Sequence, residues 1–314
     1  MNYPELKIKK NKELKVLCKE QGLKQDGKKE VLIQRLLMPQ ESDKKSVNKS
    51  VNKRTLVFNE LLELPRIKEA IDKGDNKIEF TNEDLKPICQ KHKFKNHFDM
   101  AKSDYSNQLP ELIRGKYSIV HQGDDKHFFI KVHAYMKYEN PTVTVELIKK
   151  SSVLDGTTCN SESDTSACIT RHCLIEQFMK IGSGSDFEIV PSSRRQLKKE
   201  TKFIIKKSEA FNYIMKNSLQ IEIDGMWAEH STKKLILAEL KHEKKGVSEF
   251  DMKQIYNLKL FHESQAKWKR EGWTPVYLFI TKTGTSIDVY QYDFKDETMM
   301  SMYLVKSVRY QWTV

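Results

Sequence analysis

Residues 219–241 read LQIEIDGMWAEHSTKKLILAELK, and this stretch decides the expected fold. Apolar and polar residues alternate at its start, and a second apolar run, Leu235–Lys241, follows a polar segment. Alternation of this kind is typical of a half-buried strand, and two such runs about a short polar loop predict a hairpin. We therefore expect a β-hairpin whose turn is centred between Ser231 and Thr232.

Four charged side chains share one face of this predicted hairpin. Asp224 is expected opposite Glu239 and Glu222 opposite Lys241, because successive side chains alternate between the faces of a strand. Three carboxylates and a lysine on a half-buried face are costly without a partner. Mg²⁺ or Mn²⁺ would be a suitable partner, since both ions prefer oxygen ligands. The alternative is a solvent-facing hairpin with cross-strand charge pairs.

The elements predicted around the hairpin place it in a larger unit. Residues 208–215 read as a helix that carries Glu209, and residues 247–269 read as a second helix. Two more apolar runs, 275–280 and 286–292, read as strands. The predicted order is therefore helix, strand, strand, helix, strand, strand.

This order resembles the core of the PD-(D/E)xK nuclease superfamily over about residues 198–295. The acidic residue of the superfamily falls on Asp224 and its ExK motif on Glu239-Leu240-Lys241, although Ile223 rather than proline precedes the aspartate. The resemblance implies a restriction-endonuclease-like mixed sheet flanked by helices, an α+β or α/β fold. It also implies a Mg²⁺-dependent (or Mn²⁺-dependent) deoxyribonuclease that hydrolyses phosphodiester bonds.

The same resemblance assigns roles to individual residues. It implies Asp224, Glu239 and the Leu240 carbonyl as metal ligands. It implies Lys241 as the group that positions the attacking water or stabilises developing charge. The remaining catalytic candidates are Glu209, Glu222 and Gln254, the last in the downstream helix.

The net charge favours a polyanionic partner. Lysine and arginine total 55 against 43 acidic residues, which gives a formal charge of +12. That balance fits a phosphate backbone. A membrane surface is the competing explanation, but the sequence has no long apolar run and no signal-peptide segment, so we expect a soluble intracellular protein with no membrane partner. Five cysteines, an odd number, argue against a disulfide scaffold.

The N-terminal residues 5–37 read ELKIKKNKELKVLCKEQGLKQDGKKEVLIQRLL, which predicts two short helices separated by glycines. The pattern resembles a SAP domain, a helix-extended-helix module that binds DNA. The residues that match are Leu14, Leu17, Gly22, Leu23, Gly27, Lys28, Leu32, Arg35 and Leu36.

The SAP resemblance implies contact with double-stranded DNA, mostly through its backbone. The candidates for phosphate contacts are Lys24, Lys28, Lys29 and Arg35. The resemblance also favours a nuclear protein, with an organelle, virus or mobile element as other contexts. A helical hairpin that contacts proteins is the alternative.

Four segments follow from this reading: the module at 1–38, a flexible basic linker at 39–54, a region of unknown role at 55–197 and the nuclease-like core at 198–314. The region of unknown role reads as helices, with Thr81 as a helix N-cap. After these helices comes a β-meander at about 116–149.

Two further groups of residues are candidates for binding DNA or zinc. Arg194, Arg195, Lys198, Lys244 and Lys245 flank the predicted site and are candidates for DNA contacts, although a lone basic run is usually a solvated face. Structural zinc is a weaker alternative to reduced, packed cysteines, because the spacings are not paired C-x2-C arrangements. The loose groups are Cys159, Cys168, His172 and Cys173, and Cys89, His92 and His97.

Several alternatives stay open at this stage. A catalytically inactive nuclease-fold protein that binds DNA in repair or chromatin has the same sequence signals, and so has an RNA-processing nuclease. A homodimer also stays open. The glycine-serine run at 182–185 lacks the lysine of a phosphate-binding loop, so no nucleotide cofactor is expected. Cleavage specificity is set by loops and added domains rather than by the core.

Overall fold

A computed structural model gives the architecture in two compact units, Met1–Asn52 and Lys53–Val314. The structure describes residues 7, 9–20, 28–37, 53–101, 105–123, 125–147, 162–182, 186–190, 193–196, 202–206, 213–214, 220–242 and 249–312. Among these, no helix combines the length and apolar character needed to cross a bilayer.

The first unit contains the two predicted helices, α1 at Asn11–Glu20 and α2 at Lys29–Leu37. Its core consists of four buried side chains, two from each helix: Leu14, Cys18, Leu32 and Ile33. These positions repeat at helical spacing, which explains why the amphipathic pattern predicted the pair correctly.

The second unit is a mixed α+β structure, and the predicted mixture of a sheet with flanking helices is confirmed at this level. Its helices are α3 Lys53–Leu62, α4 Pro65–Lys73, α5 Asn82–Lys91, α6 Glu162–Arg171, α7 Leu174–Met179, α8 Met252–Ser264 and α9 Ala266–Glu271. Its strands are β1 Lys77–Thr81, β2 Ser118–Gly123, β3 Lys126–Ile130, β4 Tyr135–Lys137, β5 Val143–Leu147, β6 Phe187–Val190, β7 Ser193–Gln196, β8 Lys202–Phe203, β9 Tyr213–Ile214, β10 Gln220–Ile223, β11 Gly225–Glu229, β12 Lys234–His242, β13 Glu249–Asp251, β14 Thr274–Thr283, β15 Ser286–Phe294 and β16 Met302–Trp312.

The main sheet of the described residues has the order β5-β16-β15-β14-β12-β11-β6. Helix α8 follows β12 and leads to β14, which pairs with β12 in parallel. One sheet face packs against α8 through a core that includes Leu237, Tyr277 and Phe279. The other face packs against α6 and α7 through a core that includes Ile236 and Leu278. The sheet is therefore covered on both faces, which is typical where a parallel crossover is present.

The predicted hairpin is confirmed in its turn and in the register of β11 with β12. Glu229 pairs with Lys234 and Gly225 with Ala238, so the turn is centred between Ser231 and Thr232. The first strand is nevertheless shorter than expected. The chain bends at residue 224, and β10 pairs with β7 instead of continuing along β12.

Trp227 packs over Gly225, the last residue of this ladder. A Cβ atom at position 225 would lie 2.3 Å from Cη2 of Trp227, so only glycine leaves room for the indole ring. The ladder with β12 ends at Gly225, and Glu222 pairs with Arg194 of β7. The expected placement of Glu222 opposite Lys241 is therefore corrected.

Two other sequence-based predictions are wrong. Tyr213–Ile214, inside the helix expected at 208–215, is strand β9 paired with β8, and the rest of that segment lies outside the described residues. The β-meander expected at 116–149 is limited to the hairpin of β2 and β3. Strand β4 pairs with β13, and β5 joins the main sheet beside β16. Alternation predicts strands but does not select their partners.

Other predictions for the second unit are confirmed. Thr81 caps α5, and its side chain and that of Asp84 form a reciprocal capping box. The strands expected at 275–280 and 286–292 are parts of β14 and β15. The helix expected at 247–269 corresponds to α8 and α9, although α8 begins only after Asp251, which caps it. Strands β5 and β6, which precede residue 198, also belong to the main sheet.

The hairpin turn is held by hydrogen bonds to a buried carboxylate. Glu229 is 3 % exposed and accepts hydrogen bonds from the backbone N–H groups of Ser231 (3.1 Å) and Thr232 (2.9 Å) and from both hydroxyl groups. The two hydroxyls, followed by the two N–H groups, lower the pKa of Glu229 from 4.5 to about 2. The charged form of Glu229 therefore holds the turn that sets the register of the site.

We predict that Glu229→Gln lowers the free energy of unfolding by about 1–3 kcal/mol at pH 7, because the amide places N–H groups against donors. The pKa is lowered in the folded state, so this stabilisation is fully present above pH 4.5 and is lost as the pH falls towards about 2. Urea unfolding across that pH range measures it. Glu188→Gln, which alters an exposed pair with His230, is the control and should change little. Equal stability of wild type and Glu229→Gln at neutral pH would contradict the stabilising role of the Glu229 carboxylate in the turn.

Candidate metal and nucleic-acid site

The α8-facing side of β12 changes from apolar to charged along the strand. Leu235 and Leu237 are buried in the core, and Glu239 and Lys241 continue on the same face. Lys241 Nζ lies 2.7 Å from Glu239 Oε1, with the two side chains 15 % and 11 % exposed. A nearly buried ion pair has a high desolvation cost and contributes little net stability, so stability alone does not account for it.

Asp224 stands at the point where β10 leaves the sheet. Its Oδ2 accepts a hydrogen bond from the Leu240 N–H at 2.9 Å, and the side chain thus replaces the strand that would have continued the ladder. Asp224 immediately precedes Gly225, the last residue paired with β12, and its hydrogen bond to Leu240 places its carboxylate beside the backbone between Glu239 and Lys241. The bend therefore brings a second carboxylate to the charged end of β12.

The Leu240 carbonyl belongs to the same edge. A residue in an extended strand directs its N–H and its C=O to the same neighbour. Because the Leu240 N–H is directed to Asp224, its carbonyl oxygen also points to this side, whereas its side chain is buried in the opposite core. Three oxygen-bearing groups and one ammonium group thus meet at one end of the hairpin.

These groups suit a hard divalent cation. Mg²⁺ and Mn²⁺ are bound through one or two carboxylates and keep several waters, so two acids and a carbonyl are a sufficient set. No group of three His, Cys, Asp or Glu side chains that could hold a metal ion occurs within the described part of the chain. Asp224 and Glu239 are two carboxylates, and the Leu240 carbonyl beside them is the third oxygen ligand that such an ion could use.

The structure places the other catalytic candidates differently. Glu222 is exposed on β10, away from the β11–β12 ladder. Gln254 is half-buried in the first turn of α8, the helix that covers this sheet face. Glu209 lies outside the described residues.

The DNA-contact candidates are only partly described. Lys28 is exposed before α2, and Lys29 is half-buried at its first position. Arg35 lies in α2, and Arg194 and Arg195 lie in β7. Lys24, Lys198, Lys244 and Lys245 fall outside the described residues.

The described cysteines and histidines of the two loose groups lie in different environments. Cys89 is buried beside α3, and His92 Nε2 lies 2.7 Å from Glu60 Oε2. His172 Nε2 accepts a hydrogen bond from the Trp312 indole N–H, with the two nitrogens 3.4 Å apart. Cys168 is buried and Cys173 is exposed. His97 lies at the start of a short 3₁₀ helix, and Cys159 falls outside the described residues.

Sequence reasoning missed one polar pair near the site. Asp288 of β15 is 5 % exposed and accepts two hydrogen bonds from Arg309 of β16, at 2.8 Å from Nε and 2.7 Å from Nη2. Hydrogen bonding to Asp288 raises the pKa of Arg309 above its ordinary value. The run MYLVKSVRYQW of β16 is rich in β-branched and aromatic residues, so it carried a strand signal that was not used.

Fold and site together define a mixed α+β protein with a basic N-terminal module and an acidic pair at the end of a hairpin. The family model described as Domain of unknown function (DUF6997) matches residues 126–311, more than half of the chain, and the chain therefore belongs to this family. The matched region contains the main sheet from β5 almost to the end of β16, and with it the candidate site.

Two further family models match the remainder. Domain of unknown function (DUF6996) covers residues 55–129, and the SAP domain covers residues 9–38. The SAP resemblance is thus confirmed, and this domain points to DNA binding. No curated protein and no solved structure matches the chain.

We predict that Lys28→Glu combined with Lys29→Glu weakens duplex DNA binding at least tenfold at about 0.1 M salt. Each lost phosphate contact should also reduce the slope of log K against log salt by about 0.9. Fluorescence anisotropy of the full chain with a labelled duplex in EDTA measures both. The control is Lys68→Glu with Lys73→Glu, which makes the same charge change on α4. Equal losses in both double variants would show that only the net charge matters.

Proposed function

We propose that this chain is a Mg²⁺- or Mn²⁺-dependent DNA endonuclease that hydrolyses phosphodiester bonds and is brought to duplex DNA by its SAP domain. The observation that carries the proposal is that Asp224 accepts the Leu240 N–H between Glu239 and Lys241, which form an ion pair at the end of the same hairpin. The SAP domain supplies independent support for a DNA substrate. A nuclear site of action is part of the proposal.

The order of elements supports the nuclease-like assignment. Strands β11 and β12 form an antiparallel hairpin, α8 crosses over one sheet face, and β14 returns parallel to β12. That order agrees with the PD-(D/E)xK resemblance on which the roles rest. The helix expected to carry Glu209 does not add support, because its described part is strand β9.

The residues of the site have distinct roles in this proposal. Asp224, Glu239 and the Leu240 carbonyl would hold the cation. When bound, the cation would supply Lewis-acid activation of a water molecule and of a phosphate oxygen. Lys241, held by Glu239, would orient the attacking water and offset the negative charge that develops on the phosphate in the transition state. Gln254 would contact a phosphate from α8.

A DNA-binding protein that does not hydrolyse its ligand is the second candidate. The 2.7 Å pair of Lys241 with Glu239 favours it, because the ammonium group already neutralises one of the two carboxylates. The two candidates differ in one measurable property, since only the first requires a divalent cation at Asp224 and Glu239 for its activity.

We predict that the full chain nicks or cuts DNA with Mg²⁺ or Mn²⁺ and not in EDTA. Asp224→Ala and Lys241→Ala should each slow cutting at least about 100-fold, because each removes a group that acts on the reacting phosphate. Duplex affinity in EDTA should stay within about twofold. Gel assays on supercoiled, linear and branched DNA, with RNA as competitor, measure the rates and identify the preferred substrate.

The matched control is Asp293→Asn, an exposed carboxylate on β15 of the same sheet, which should cut at the wild-type rate. Asp224→Asn and Glu239→Gln serve as conservative variants that keep the size of each side chain. Unchanged cutting by both alanine variants would remove this site from consideration. Tight duplex binding with no cutting under any metal condition would favour the second candidate.

A further inference from the structure

One row of polar side chains crosses the main sheet beside the candidate site. Residues that pair across neighbouring strands share a face of the sheet. Lys241 pairs with Thr281, Thr281 with Asp288, and Asp288 with Arg309. All four side chains therefore lie on the face of the sheet that carries Glu239. This row begins at Lys241, the next residue of β12 after Glu239 whose side chain points to that face.

The neighbouring row on the same face is different in character. It runs from Glu239 through Phe279 and Tyr290 to Ser307, and these four side chains are buried. The polar row thus follows directly where the core on this face ends. Arg309 is the most exposed of its charged members, with 35 % of its side chain accessible, against 7 % of the side chain of Asp288.

The hydrogen bonds of Arg309 orient its guanidinium. Nε and Nη2 donate to the two oxygens of Asp288, so the Nη1 end points away from that carboxylate. A guanidinium fixed in this way loses little conformational freedom when it binds a phosphate. Tyr290 also approaches Asp288, with its hydroxyl oxygen 3.4 Å from Oδ2.

We propose that Arg309 binds a backbone phosphate of the same DNA strand that is cut at Lys241, a few nucleotides away. The proposal rests on the proposed function and adds a substrate-positioning residue to it. Three strand spacings separate Lys241 from Arg309, about 14 Å. One DNA strand carries a phosphate for about every 3.4 Å of helix axis, so one backbone can reach both residues.

The competing explanation is that Asp288 and Arg309 only fasten β15 to β16. Removal of one partner of this partly buried ion pair leaves the other charge unpaired, which is destabilising in itself, whereas removal of both leaves no unpaired charge. Arg309→Gln alone is therefore ambiguous if it unfolds. The double variant Asp288→Asn with Arg309→Gln removes both charges and separates a structural role from a role in DNA binding.

The test uses the full chain carrying Lys28→Glu and Lys29→Glu, so that the remaining duplex affinity reports on the second unit. In EDTA, Arg309→Gln and the double variant should each bind at least fivefold more weakly. Their slope of log K against log salt should fall by about 0.9, the value for one phosphate contact. Arg66→Gln, which removes an arginine paired with Asp84 elsewhere in the unit, should bind unchanged.

The proposal would be overturned if the Asp288→Asn, Arg309→Gln variant kept the affinity, salt slope and thermal unfolding of the Lys28→Glu, Lys29→Glu parent chain, and the pair would then be a structural one. The same losses in Arg66→Gln would also overturn it, because net charge alone would then explain the effect. The assay contains no metal and measures no hydrolysis. The two proposals can therefore fail separately. If the chain does not cut DNA but Arg309→Gln weakens binding, the nuclease activity is refuted and the phosphate contact is supported.

Discussion

The hydrogen bond from the Leu240 N–H to the Asp224 carboxylate is the interaction on which the candidate site depends. A strand that continued past Gly225 would pair its backbone with β12 at this point. Instead, the chain bends at Asp224 and β10 pairs with β7, and the side chain of Asp224 accepts the Leu240 N–H in place of a strand. Asp224 thus lies at the edge of β12 beside Glu239 and Lys241, where the proposed cation and phosphate would bind.

The charged pair of Glu239 and Lys241 at this edge contributes little to the stability of the fold. Glu239 and Lys241 lose most of their hydration, and their attraction offsets that loss only in part. Glu229 has the opposite role at the other end of the hairpin, where four donors favour its ionised form and fix the turn. The hairpin is therefore rigid at its turn and charged at its open end, an arrangement that preorganises a site on regular structure.

Local patterns predicted much of this arrangement, and long-range pairing explains what they missed. The register of Glu229 with Lys234 followed from alternation and turn length, and the helices of the SAP domain from apolar spacing. The recruitment of β5 and β16 to the main sheet, and with it the Asp288–Arg309 pair, depends on contacts between distant segments that no local period encodes. Glu222 was misplaced because the ladder with β12 ends at Gly225 and β10 pairs with β7, a choice of partner that alternation does not encode.

The most direct test of the central claim is a crystal structure of the full chain grown with Mn²⁺, with the anomalous signal of the metal recorded. The account predicts a Mn²⁺ ion within about 2.2 Å of carboxylate oxygens of both Asp224 and Glu239, a distance typical of oxygen ligands to small divalent ions. Lys241 should then turn from Glu239 towards the ion's outer ligands. An anomalous map with no peak at this edge, at Mn²⁺ concentrations that saturate other carboxylate sites in the crystal, would contradict the account.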